Sequence, residues 1–135
     1  MTRPLLAADL ILPTAAFAVG SDDSTPPSTT DTTTRCEAGQ VWDQRTRSCI
    51  TPSKDSRLDD DTLYQAVREF AYAGRHDDAL RALAAMSDQG DDRVLTYMGF
   101  VHRRMGDAEL GNAYYRQALA RNPDNLLARS YMGQG

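Results

Sequence analysis

Arg93-Val94-Leu95-Thr96-Tyr97-Met98-Gly99-Phe100-Val101-His102-Arg103-Arg104-Met105-Gly106 is the stretch on which the fold turns. Inside it, Thr96-Tyr97-Met98-Gly99 returns as Ser130-Tyr131-Met132-Gly133, 34 residues later. Gly106 also has a counterpart, Gly74, 32 residues earlier, and each stands where a helix should stop. A period near 34 residues with a glycine turn inside each unit is the signature of stacked helix pairs.

Working outward, helical spacing accounts for the chain from Leu58 onward. Asp59-Asp60-Asp61 places carboxylates at a helix start, where they favour the dipole. Leu63, Ala66, Val67, Phe70 and Ala71 follow on one face, up to Gly74. Asp77 and Asp78 open a second helix with Ala79, Leu80, Leu83 and Met86 on its stripe. After a loop over Ser87–Asp92, a third helix is predicted from about Arg93 to Met105 and a fourth from about Ala108 to Arg121. Pro123 follows, and a fifth helix begins near Asp124.

This pattern resembles the tetratricopeptide repeat (TPR) family. Leu95, Met98, Gly99 and His102 fall where that family places Trp, Leu, Gly and Tyr. Gly111, Tyr115, Ala118 and Pro123 fall where it prefers Ala, an aromatic, Ala and Pro. His102 and Gly111 depart from the pattern. An earlier, looser repeat runs from Asp60 to about Asp91, with Val67 in place of Gly and Leu83 in place of the aromatic. The resemblance implies an all-α fold: antiparallel helix pairs stacked as a short solenoid over 59–135. Gly135 lies about ten residues into a third A helix, so Leu126, Leu127, Tyr131 and Met132 are expected to stay partly uncovered. Self-association through this C-terminal repeat is the corresponding expectation.

Such a scaffold binds partners on the inner faces of its A helices. The positions that the resemblance puts there are Asp61, Tyr64, Arg68 and Tyr72, then Arg93, Thr96, Phe100, Arg103 and Arg104. Four arginines and three aromatics suit a protein or peptide with acidic groups or a terminal carboxylate, since an Arg fork matches a carboxylate. Solvation of the surface is the competing role for these arginines. The residues show no Gly-rich phosphate loop, no Gly-x-Ser-x-Gly and no His-Glu-x-x-His, so neither an enzyme nor a cofactor is expected. The lone His102 reads as a packing residue.

The N-terminal part reads differently. Arg3, the apolar run Leu5–Ala18 and Ala16-Phe17-Ala18 compose an export signal over 1–18, against which Asp9 stands. Residues 19–35 read as a disordered linker, because Ser21–Thr34 holds only Ser, Thr, Asp and Pro. Cys36 and Cys49 form an even pair, expected as one disulfide closing a hairpin over 36–50, with Gln40-Val41-Trp42 and Ser48-Cys49-Ile50 as its strands. Residues 51–58 connect it to the helices. Cys36-x-x-Gly39-x-Val41-Trp42-Asp43-x-x-Thr46-x-x-Cys49 resembles the last part of a type-2 chitin-binding domain. In that light Trp42 either stacks on a sugar or forms a small core beneath the disulfide.

Composition narrows the rest. Lys+Arg number 15 against 19 Asp+Glu, for a net charge of −4, which disfavours a nucleic-acid binder held by a basic surface. The longest uncharged apolar-rich run, Leu10–Gly20, has 11 residues, well short of the ~20 that a spanning helix needs. His76 and His102 are the only histidines and lie far from the cysteines, so no metal site is expected. The expected function is therefore an exported, periplasmic or secreted TPR-type interaction module. A cell-wall carbohydrate-binding module built on the Trp42 hairpin and a non-catalytic accessory subunit of an envelope complex are the alternatives.

Overall fold

A computed structural model describes residues 25–134. The expected signal segment, 1–18, lies outside the described residues. A four-residue helix α1 (Asp31–Thr34) precedes two strands, β1 (Val41–Asp43) and β2 (Ser48–Ile50). Five helices follow: α2 (Asp60–Tyr72), α3 (His76–Ala85), α4 (Asp92–Arg104), α5 (Ala108–Arg121) and α6 (Leu126–Gly133).

The helix ends are written in the sequence. Asp59, Asp107 and Asn125 each accept a hydrogen bond from a first-turn amide, those of Thr62, Leu110 and Ala128, at 2.7, 3.0 and 2.8 Å. The Thr62 amide holds the Asp59 carboxyl below its usual range. At the other ends, Gly74 and Gly106 take φ of 76° and 98°, a region that costs glycine nothing. The reversed chain then lets the amides of Arg75 and Asp107 reach back to the carbonyls of Phe70 and His102. These two turns fold α2 onto α3 and α4 onto α5 as antiparallel pairs.

Helix α4 is the central element, touching α2, α3, α5 and α6. Its inward stripe is Val94, Tyr97 and Val101, all at most 1% exposed. Leu63, Val67 and Phe70 of α2, Leu83 of α3 and Tyr115 and Ala118 of α5 complete the core. The contact between α4 and α5 is the tightest. A Cβ on Gly99 would lie 2.5 Å from the Tyr115 ring and 2.8 Å from the Gly111 carbonyl. A Cβ on Gly111 would lie 2.8 Å from the Gly99 carbonyl, so neither position has room for a side chain.

The hairpin forms where expected. Val41 pairs with Ile50, Trp42 with Cys49 and Asp43 with Ser48, and Cys36 is joined to Cys49. Its buried apolar residue is Val41 at 1% exposure, which belongs to the main core. Trp42 is only half-buried, so it is not the centre of a separate small core. Asp43 fixes the turn by accepting from the Arg45 amide and the Thr46 hydroxyl.

Two expectations need correction. From Thr25 the linker is not a free tether: it lies on α2 and β1. Thr32 is 4% exposed and its hydroxyl accepts the Trp42 amide, while Thr30 and Thr33 bond to the Glu69 carboxylate. Hydroxyls can be buried when partners are supplied, and these partners come from far along the chain. At the other end only Tyr131 departs from expectation, buried at 6% exposure, while Leu126, 76% exposed, and half-buried Leu127 and Met132 stay partly uncovered as expected.

Gly99→Leu should destabilise the protein by about 1–3 kcal/mol through overpacking, despite the better helix propensity of Leu. Gly133→Ala, with nothing within 4 Å of the added Cβ, should be neutral or stabilising by up to about 1 kcal/mol. Thermal melting of the two variants checks the pair. A Gly99→Leu protein melting at or above the parent temperature would contradict the close helix approach.

Candidate functional site

Helices α2, α4 and α6 line up side by side, and α2 and α4 carry the residues expected to meet a partner. The aromatic ones converge. Tyr72 of α2 stacks on Phe100 of α4 with ring centres 5.2 Å apart, and its hydroxyl lies 2.8 Å from that of Tyr131 of α6. Tyr64 meets Tyr97 edge-on at 5.7 Å. Tyr131 also touches Tyr97, Phe100 and Tyr115, so one ring from α6 closes a cluster begun by the other helices.

The arginines divide into engaged and open ones. Arg93 lies over the Tyr64 ring at 5.0 Å and pairs with Asp61 at 3.1 Å and Asp91 at 3.3 Å. The bond to Asp91, then that to Asp61, holds its guanidinium more firmly charged than usual. Arg68, buried at 8% exposure, donates to the Tyr97 hydroxyl, to Gln65 and, at 2.8 Å, to the Thr25 carbonyl. Arg103 donates to the Tyr131 carbonyl. Arg104 is exposed, with its guanidinium 4.9 Å from the Phe100 ring centre.

Thr96 does not join this face. It is 1% exposed, donates to the Asp92 carbonyl at 2.6 Å and accepts from Asn125 at 2.9 Å. Asn125 and Asn122 both donate to the Asp92 carboxylate as well, so these residues fasten the start of α6 to the start of α4. His102 is half-buried and stacks on Tyr114 at 5.6 Å. Among the described residues, no group of three His, Cys, Asp or Glu is placed to hold a metal ion. No helix among them is long and apolar enough to cross a membrane.

A cavity of about 340 Å³ opens at the α4–α6 end, lined by Phe100, Arg103, Arg104, Tyr115, Tyr131 and Gln134. Among the described residues no carboxylate pairs with Arg103 or Arg104. A second, more open depression of about 420 Å³ lies beside Gly74, Arg75, Asp78 and Arg81. There Asp78 already pairs with Arg75 at 2.8 Å and with Arg81 at 2.7 Å. The first cavity is the better candidate for a ligand, because no acid among the described residues pairs with its cations.

Tyr97, Tyr115, Tyr131 and Gln134 were not among the residues expected at the site. Tyr97 and Tyr131 occupy equivalent places in the 34-residue echo, and that equivalence was the available signal: Tyr131 should point inward because Tyr97 does. No family model, no curated protein and no solved structure matches the chain.

Burial raises the pKa of three tyrosines of the cluster. It pushes Tyr97 above the ordinary tyrosine value of 10.0 and Tyr115 up to about 12. Tyr131 is also raised, by burial first and then by the Tyr72 hydroxyl. Since the folded values exceed the unfolded one, the stabilisation is complete below the unfolded value and is lost as pH rises through the folded ones. Stability should therefore fall as pH climbs from about 10 to about 12, with tyrosinate absorbance rising together with loss of helix. Titration of every tyrosine near pH 10 with the helices intact would contradict burial of the cluster.

Proposed function

We propose that the chain is an exported, periplasmic TPR-type interaction module that binds a protein or peptide partner in the cell envelope. The observation that carries the proposal is the aromatic-lined cavity with two arginines, Arg103 and Arg104, unmatched by any described carboxylate. A guanidinium poised over an aromatic ring, as Arg104 is over Phe100, can fork onto a carboxylate while the rings bury the flanking chain. The partner proposed is an extended peptide with acidic groups or a terminal carboxylate.

Several features support the TPR reading. The paired helices, the close approach at Gly99, Tyr115 wedged against it and Pro123 after α5 all match what that architecture needs. The Cys36–Cys49 disulfide agrees with an oxidising compartment. Against the carbohydrate reading, Arg35 lies over the Trp42 ring at 5.5 Å and the indole nitrogen is enclosed without a partner. A sugar stacking on the face that Arg35 covers would have to displace that guanidinium.

Titration with hexaglutamate tests the proposal, with amidation of the peptide terminus as a further arm. Arg104→Ala should weaken binding about tenfold or more, since a charge-assisted hydrogen bond contributes roughly 1.5–3 kcal/mol. Trp42→Ala should leave binding unchanged. An Arg104→Ala protein that binds like the parent, or a Trp42→Ala protein that alone loses a captured partner, would reverse the assignment.

A further inference from the structure

Glu69 is a buried carboxylate, 6% exposed, in the middle of α2. Its acceptors are filled by the N-terminal segment. The Thr30 amide reaches Oε1 at 2.7 Å, the Thr30 hydroxyl reaches Oε2 at 2.6 Å, and the Thr33 hydroxyl also donates to Oε1. The neighbouring Arg68 holds the Thr25 carbonyl. Adjacent residues of one helix thus read the segment twice, once through a backbone carbonyl and once through hydroxyls three residues apart. That is how a peptide is recognised, and here the peptide belongs to the same chain.

The segment brings almost no apolar surface to this contact. Residues 25–34 contain only Thr, Ser, Asp and two prolines, and Thr25, Pro26, Ser28, Thr29 and Thr30 are exposed. Its helix α1 has four residues, too few to be stable alone. Its main anchors are therefore polar and solvent-replaceable, unlike the apolar core that holds α2 to α4. Such elements open locally without global unfolding.

The geometry points to the Arg68–Glu69 surface of α2 as a docking site for short threonine-rich segments, occupied by residues 25–34 of the same chain and able to accept the same segment from a second copy. The tether gives the internal segment an effective concentration on the order of millimolar, so it outcompetes a free segment unless its own hydroxyls are removed. The site is separate from the cavity at Arg104 and does not rest on the acidic-peptide reading.

A labelled peptide of sequence Thr25-Pro26-Pro27-Ser28-Thr29-Thr30-Asp31-Thr32-Thr33-Thr34, followed by fluorescence anisotropy, tests this on the full chain. A Thr30→Val/Thr33→Val protein should bind the peptide at least tenfold more tightly than the parent, because its own segment no longer competes. A Thr30→Ser/Thr33→Ser protein, which keeps the hydroxyls, should behave as the parent. A peptide carrying the two valines should not bind either protein. Equal binding by parent and valine variant, or no binding by the variant, would overturn the proposal. Should the variant fail to fold, hydrogen exchange on the unaltered chain decides. Amides of 25–35 must exchange as a unit and at least tenfold faster than those of α2, and exchange at the rate of α2 would overturn the proposal equally.

Discussion

Gly99 and Gly111 bring the backbones of α4 and α5 so close that the carbonyl of each would lie 2.8 Å from a Cβ on the other. Everything else in the helical part depends on that approach. It leaves Tyr115 nowhere to go except flat against α4, at 1% exposure. With α5 held so closely on one side, the other side of α4 is free to present Tyr97 and Phe100 to α2 and α6. A helix in contact with four others needs small residues where one neighbour comes nearest and large ones where the others stand off, and α4 has both.

The large residues then create the candidate site. Six aromatic rings from four helices meet around Tyr97, Phe100 and Tyr131, and the hydroxyls of Tyr72 and Tyr131 bond to each other within that assembly. Offset and edge-on ring contacts fix the relative placement of helices that no loop joins directly. The arginines lie over or beside the rings, with Arg93 on Tyr64 and Arg104 on Phe100. The proposed seat of an anion-bearing chain is thus an aromatic floor packed within the fold, beneath an exposed cation.

Much of this was legible in the sequence, and what was not has a physical reason. The helix ends were announced by Asp59, Gly74 and Gly106, since capping is a local matter of residues adjacent in the chain. The small-residue contact at Gly99 and the hairpin disulfide were legible for a similar reason: each leaves a distinctive residue in place. Docking of residues 25–34 was not legible, because a threonine-rich stretch looks solvated until a buried carboxylate appears 36–39 residues away. Nor could sequence separate the arginines. Arg68 and Arg104 were both placed on the partner face, yet Arg68 is committed to Tyr97 and Thr25 while Arg104 is exposed. Thr96 was assigned to the partner face, but a short β-branched hydroxyl beside Asn125 serves better as a joint between helices.

Native-state hydrogen exchange resolved by residue measures the central claim most directly. With α4 as the shared element of the core, its amides from Tyr97 to Val101 should be the slowest in the protein, opening only with global unfolding. Those of α5 around Tyr115 should follow closely, and those of α6 should be faster. If α2 and α3 remain protected while α4 exchanges quickly, the helices are not organised around the Gly99–Gly111 approach, and the candidate site does not rest on that core.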